Sequence, residues 1–167
     1  MMKRLILTFG ALFAFAAAGL PQADVSTDDT HGVSGLDAIA ARQATLDMSA
    51  ITFHSMEDAM KAGSDAKSQS FAAGALAKWA KALPRMFPTG TGKGETSTAT
   101  QALPTIWQDR TGFDRAAAYY AETTARLAAL AATNDTAGFT KQLDVVNQAC
   151  GACHATYKQA VPPHHGK

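Results

Sequence analysis

The chain contains two cysteines, Cys150 and Cys153, and both lie in the five-residue segment CGACH that ends at His154. Apolar residues at three-four spacing run through this segment, so the pattern predicts a helix that carries all three side chains. At 100° per residue, Cys153 lies about 60° from Cys150 on one side, and His154 lies about 40° from it on the other. Two thiols and one imidazole are therefore expected on a single helix face.

This arrangement suits the covalent attachment of haem. Two thiols can add to the two vinyl groups of one porphyrin, while an imidazole on the same helix face binds the iron. The pattern Cys-x-x-Cys-His is the signature of c-type haem attachment. We predict one covalently attached haem c, with thioether bonds to Cys150 and Cys153 and with His154 as the axial iron ligand.

Other uses of the two cysteines are weighed against haem. A thioredoxin-like Cys-x-x-Cys normally opens a helix after a strand, where the helix dipole lowers the thiol pKa. A zinc site needs four ligands, and His164 and His165 could supply two of them. A disulfide between residues three apart in a helix would be strained and would close a very short loop. The alternative from another class is thus a haem-free dithiol or metal-binding helical protein.

The first residues read as a secretory signal peptide. A basic start, MMKR, precedes the apolar run LILTFGALFAFAAAGL and a set of small residues. The run is shorter than the roughly 20 residues of a membrane-spanning helix, so we predict a signal peptide at residues 1–23, with an open cleavage site. Its removal deletes Lys3 and Arg4, and the formal net charge changes from +1 to −1, since +1 − 2 = −1. We expect a near-neutral periplasmic protein that is not membrane-embedded after processing and does not bind nucleic acid.

The remaining chain predicts an all-α fold. Apolar residues make up 47% of the sequence and alanine is abundant, which favours helix. Three-four periodicity marks four helices, and a long Gly/Pro/Ser/Thr-rich connection separates the second from the third. These elements predict an antiparallel four-helix bundle with the haem near the C-terminal helix. The predicted parts of the chain are a flexible arm at 24–33, a four-helix cytochrome domain at 34–160 and a flexible tail at 161–167. Within the domain, the helices are predicted at about 34–62, 65–83, 106–132 and 137–159.

Four segments, ARQATL, LPRMFPTGTGKG, LPTIWQDRTGF and CGACHATYK, resemble class II c-type cytochromes, and among them the cytochrome c′ and cytochrome c-556 family. The resemblance runs from Leu36 to Lys158. A haem motif at the C-terminal end of a helical chain is its most selective feature. The resemblance implies a haem held between the helices, with Arg42 and Gln43 beside the haem and its propionates. Lys158 stands where many members have an arginine, which keeps the charge but loses the planar guanidinium.

The sixth coordination position of the iron separates two modes of function. In low-spin relatives a methionine lies four residues after the first-helix arginine, and this chain has Leu46 there. Leucine has no lone pair, so we predict a five-coordinate iron that can bind NO or CO. Met48 is about 200° from Leu46 around a regular helix, so the two cannot face the haem together. The alternative is a low-spin, six-coordinate electron carrier with Met48 as the sixth ligand.

The sequence therefore predicts a periplasmic monohaem c-type cytochrome. Its expected roles are one-electron transfer with unnamed periplasmic redox partners, binding of NO or CO, or both. We predict no enzymatic activity, because no Ser-His-Asp set, phosphate loop or pair of catalytic carboxylates stands out. An apolar outer face with Met48 and Ile51 suggests a homodimer formed through the first helix.

Overall fold

The computed structural model describes residues 35–160 and confirms the all-α, four-helix bundle. The long helices are α1 (Gly35–Lys61), α2 (Ser70–Ala82), α4 (Arg110–Ala132) and α5 (Thr136–Tyr157), and a single turn, α3 (Thr105–Gln108), precedes α4. Within the described residues there is no β-strand, only one isolated bridge between Ala102 and Lys158. The predicted signal peptide and arm, the tail, and its two histidines lie outside the described residues. In the described part of the chain, no helix has the length and apolar character to cross a membrane.

Two clusters of buried side chains hold the bundle together. The larger one lies between all four long helices and contains Phe53, Met56, Leu76, Leu127 and Phe139. The smaller one forms where the connection after α2 meets the end of α5. Its members are Leu83, Phe87, Ala102, Ile106, Phe113 and Tyr157. The C-terminal part of α5 therefore lies where both clusters meet.

The third predicted helix, at 106–132, is interrupted in the structure. Asp109 leaves the helical conformation, with φ −115° and ψ 59°, and its side chain accepts a hydrogen bond from the amide of Gly112. An aspartate that caps the following turn ends one helix and begins the next. The same carboxylate accepts a hydrogen bond of 2.9 Å from the Tyr157 hydroxyl, so the start of α4 is joined to the end of α5.

The second helix begins later than the expected residue 65. Its first turn is a 3₁₀ turn, Lys67–Gln69, and the α-helical part starts at Ser70. The side chain of Asp65 accepts a hydrogen bond from the amide of Ser68, which caps this tighter turn.

The buried face of α1 differs from the stripe that three-four spacing predicts. That stripe consists of Leu36, Ile39, Gln43, Leu46, Ala50, Phe53, Glu57 and Met60. Of these, Leu36 and Leu46 are 50% and 36% exposed. The side chains that α1 buries are Ala38, Ile39, Arg42, Ser49, Phe53 and Met56. The reason is that α1 has two kinds of neighbour: one side packs on the bundle core, and the adjacent side borders a cavity.

Candidate haem site

A cavity of about 1030 Å³ lies between α1, α4, α5 and the connection that follows α2. Its volume reaches the upper end of the range of roughly 300–1000 Å³ that is typical of small-molecule sites. The lining is mainly apolar, and its polar side chains come mostly from α1 and from the connection. The cavity is therefore large enough for a bulky, mostly apolar group with a polar edge.

The three motif side chains of α5 come together at this cavity. Cys150, Cys153 and His154 all line it, and both cysteines are free thiols of intermediate burial. Cys150 packs against the larger core cluster and Cys153 against the smaller one. The helix that carries them is capped at its start, where Asp135 accepts a hydrogen bond of 2.9 Å from the amide of Gly138.

The electrostatic setting of the thiols disfavours a thiolate. Burial, followed by the neighbouring Cys153, raises the pKa of Cys150 to about 11. Burial also raises the pKa of Cys153. Reactive dithiols of the thioredoxin kind have thiol pKa values below the ordinary range, because a helix N-terminus or a cation stabilises the thiolate. These two cysteines have the opposite setting.

The imidazole of His154 is held in its neutral form. Partial burial of the imidazole, followed by the positive charge of Lys158, lowers the pKa of His154. Its side chain lines the cavity although the residue as a whole is exposed. Neutral imidazole is the form that binds a metal ion, so the shift favours an axial ligand.

The opposite wall of the cavity comes from α1. Gln43, Leu46 and Ala50 line it, on a side of the helix that is open towards the cavity. Met48 is 49% exposed and is not among the lining residues. Along a regular helix, Leu46 and not Met48 faces the motif of α5.

Arg42 also lines the cavity, and it is only 1% exposed. Its Nη1 donates a hydrogen bond of 2.7 Å to Oγ1 of Thr91, and its Nη2 donates to the carbonyl of Thr91 and, at 2.7 Å, to Oγ1 of Thr100. The guanidinium carbon lies 4.9 Å from the centre of the Phe87 ring. Burial lowers the pKa of Arg42, but a guanidinium remains protonated in any case. Its hydrogen-bonding partners are thus neutral oxygens of the connection.

Residues 91–102 of the connection, which we call the strap, form a third wall. Two glycines with positive φ, Gly90 (80°) and Gly94 (83°), turn the chain at its start. Lys93 donates its amide hydrogen to the carbonyl of Ala102 at 2.8 Å, which closes the strap on itself. Lys93 and the segment from Gly94 to Ala102 contribute to the cavity lining. The strap is rich in threonine and serine, and these hydroxyls supply the polar edge.

Several residues of the site were not identified from the sequence. Thr91 and Thr100 bind Arg42, and Phe87 lies beneath the guanidinium. Tyr120 of α4 lines the cavity, and burial raises the pKa of its hydroxyl. The only available signal was the composition of the connection. It marks a loop that packs on something, but it does not show which residue meets Arg42.

The donor set and the cavity fit a c-type haem. Two protonated thiols and one neutral imidazole converge on a mainly apolar cavity, and the strap supplies the polar groups that carboxylate edges require. Within residues 35–160, no three His, Cys, Asp or Glu side chains are grouped as a metal site.

Comparisons with known proteins also find similarity to cytochromes. A curated cytochrome c-556 from Agrobacterium tumefaciens (strain II Chrys) is 36% identical over 56% of this chain and 72% of its own length. Other curated relatives match over as little as 48% of their own length. The solved structure of cytochrome c′ from Rubrivivax gelatinosus is 30% identical, with a TM-score of 0.67, and the match covers 75% of this chain and 97% of that one.

A second solved structure is a ferrous variant of cytochrome c prime from Alcaligenes xylosoxidans with bound NO. It is 25% identical with a TM-score of 0.67, and the match covers 76% of this chain and 97% of that one. The family described as Cytochrome C′ matches residues 37–158, which include the strap, the haem motif and the cavity-lining part of α1. The chain therefore belongs to the cytochrome c′ family.

Proposed function

We propose that this chain is a periplasmic monohaem cytochrome that transfers single electrons and binds NO or CO. The observation that carries the proposal is the convergence of Cys150, Cys153 and His154 on one large, mainly apolar cavity. Family membership supports a covalent haem c. The N-terminal sequence supports export, since its basic and apolar segments have the order of a signal peptide.

In this proposal, the side chains of α5 hold the cofactor. Cys150 and Cys153 form the thioether bonds, and His154 binds the iron. The bound haem would supply one redox-active iron that alternates between the ferric and ferrous states. The apolar walls exclude water, and exclusion of water and hydrogen bonding near a haem are the means by which a protein adjusts its reduction potential.

We further propose that the haem iron is five-coordinate, with His154 as its one ligand from the protein and an open position on the side of Leu46. Leu46 lines the cavity, and its alkyl side chain can exclude solvent but cannot donate an electron pair. Met48 would need a rotation or a kink of α1 to reach the cavity, because it lies on the exposed side of that helix. The six-coordinate alternative with Met48 therefore requires a different register of α1.

Arg42 and Gln43 are proposed to lie at the propionate edge of the haem. Gln43 Nε2 donates to the carbonyl of Ala99 at 3.0 Å, and the Nη groups of Arg42 donate to strap threonines. A guanidinium has five N–H donors, and the Nε–H and one Nη1–H remain for a carboxylate. Any direct contact with a propionate uses these remaining donors.

The proposed partners are unnamed periplasmic redox proteins, NO or CO, and a second copy of the chain. Ile51 and Met48 are 61% and 49% exposed on the outer side of α1, and such exposed apolar side chains favour burial against an identical helix. The near-neutral charge of the processed chain gives no directional attraction to a strongly charged partner.

The visible spectrum tests the proposal directly. The protein, produced with haem-attachment machinery, is measured oxidised, reduced, and reduced under CO. A high-spin ferrous spectrum that shifts with CO is expected. A low-spin spectrum indifferent to CO would instead favour Met48 as sixth ligand. Absence of haem bands, and of covalent haem mass after denaturation, would favour the haem-free alternative.

A further inference from the structure

The strap is attached to α1 at both of its ends by one side chain. The guanidinium of Arg42 reaches Thr91 at the start of the strap and Thr100 near its end. Gln43 adds a third attachment through the carbonyl of Ala99. Arg42 and Thr91 are each 1% exposed, so the two hydrogen bonds between them are shielded from competition with water. The Arg42–Thr100 bond is partly buried, and the Gln43–Ala99 bond is exposed.

The other edge of the strap is attached to the end of α5. The amide of Gln159 donates to the carbonyl of Gln101 at 2.8 Å, and the amide of Leu103 donates to the carbonyl of Tyr157 at 3.0 Å. These two bonds form the isolated β-bridge between Ala102 and Lys158. The strap therefore connects the helix with Leu46 to the helix with the haem motif.

The strap also borders the space between those helices. Its residues from Lys93 to Ala102 line the same cavity as Leu46 and His154. The polypeptide of the strap has no helix or sheet of its own, so its position depends on the attachments described above. If the attachments to α1 are weakened, this wall of the cavity is free to move.

We propose that Arg42 is a positioning residue that holds the strap closed over the cavity and thereby limits the access of small ligands to the distal side at Leu46. The inference rests on the proposed function, because the ligand that reports access is CO bound at the haem. The planar fork of Arg42 suits this task, since its two Nη atoms reach Thr91 and Thr100 separately, whereas a lysine carries the charge on a single nitrogen.

Thr100→Val removes the Arg42–Thr100 hydrogen bond from the side of the strap, and Arg42→Lys weakens that bond together with the two to Thr91 from the side of α1. Thr100→Val keeps the shape of the side chain and loses Oγ1, whereas Thr100→Ser retains that oxygen and serves as the conservative rescue. Arg126→Lys makes the same chemical change at an exposed position of α4 and is the matched control. All variants are prepared as full-length holoprotein, and their melting temperatures are recorded.

Two measurements are made on each variant. Hydrogen exchange is followed at the amides of Lys93 and Gln159, which donate to the strap carbonyls of Ala102 and Gln101. The Phe139 amide in α5 is the internal reference. The association rate of CO with the ferrous protein is measured below the melting temperature. Exchange at these two amides is expected to rise about tenfold in Thr100→Val, which loses one hydrogen bond to a charged group, and at least as much in Arg42→Lys, which affects three.

The CO association rate is expected to rise in the same two variants and to return with Thr100→Ser. The double variant should be no faster than Arg42→Lys alone, because the bond that Thr100→Val removes is among those that Arg42→Lys removes. Wild-type exchange in Arg42→Lys and Thr100→Val overturns the inference. Faster exchange with an unchanged CO rate also overturns it, since Arg42 would then be purely structural. If the wild-type protein binds no CO, the proposed gas binding and this inference are both overturned. If the wild-type protein binds CO and the variants have the same exchange and CO association rates as the wild type, only the inference is overturned.

Discussion

At the scale of single residues, the direction of some side chains in the site follows from their spacing along a helix, and the direction of others depends on how that helix packs. Cys150, Cys153 and His154 lie within about one helical turn of each other, so their shared direction follows from helix geometry alone. Leu46 and Met48 are also close in sequence, but the choice between them depends on the orientation of a whole helix. The structure places Leu46 at the cavity and leaves Met48 exposed.

Leu46→Met tests this orientation. It introduces a thioether at the cavity wall, which can donate an electron pair to the iron. We expect the ferrous spectrum to change from high-spin to low-spin and CO binding to slow. Visible spectroscopy with a CO titration measures both effects.

Met48→Leu is the matched control for this experiment and should leave the spectrum unchanged. A low-spin wild type that becomes high-spin in Met48→Leu would contradict the orientation of α1.

At the scale of elements, sequence patterns located the four long helices but not their exact limits. Apolar periodicity continues across Asp109, so the sequence predicted one helix where the structure has α3 and α4. The break depends on the Asp109 carboxylate, which accepts hydrogen bonds from the Gly112 amide in the first turn of α4 and from the Tyr157 hydroxyl of α5. The second partner is 48 residues away, and no local pattern indicates it.

Asp109→Ala removes both of these hydrogen bonds. We expect the free energy of unfolding to fall by about 1–3 kcal/mol, because a helix cap and a partly buried hydrogen bond are lost. Chemical denaturation of the holoprotein measures the change. Asp109→Asn retains the capping oxygen and should lose less than half as much; equal losses in the two variants would assign the effect to charge.

Gly92 allows the strap to pass close to its neighbours. A Cβ at this position would lie 2.7 Å from the Trp107 ring and 2.5 Å from Oε2 of Glu95, which also accepts a hydrogen bond from the Gly92 amide. The ring cannot easily move, because its Nε1 donates to the carbonyl of Phe87. Local crowding therefore requires glycine here.

Gly92→Ala is expected to lower the free energy of unfolding by about 1–3 kcal/mol through overpacking. Gly74→Ala is the control, since a Cβ at this position of α2 meets nothing within 4 Å and alanine favours helix by roughly 1 kcal/mol. Thermal unfolding compares the two. Similar changes in the stability of both variants would show that crowding at Gly92 does not exclude a Cβ there.

At the scale of the whole molecule, the cavity is assembled from segments far apart in the sequence. Arg42 and Thr100 are separated by 58 residues, and the hydrogen bonds that join the end of the strap to the end of α5 are between backbone groups. The sequence identified the connection only by its length and its Gly/Pro/Ser/Thr content, and backbone hydrogen bonds leave no side-chain pattern that identifies their partner.

The proposed homodimer is also a property of the whole molecule. Ile51→Glu places a charge on the outer side of α1, where burial against a second copy would be unfavourable. We expect the mass measured by light scattering to fall from that of a dimer to that of a monomer. Ala118→Glu, at an exposed position of α4, should leave the mass unchanged. A wild-type protein with the mass of a monomer would exclude the dimer.

The sequence by itself determined the all-α class, the four long helices and the common direction of Cys150, Cys153 and His154, because these features depend on residues within a few helical turns of each other. The tertiary structure alone decided which face of α1 borders the cavity, how Arg42 is partnered, and which loop forms the third wall. These features depend on contacts between residues tens of positions apart, and such contacts arise only when the helices pack together.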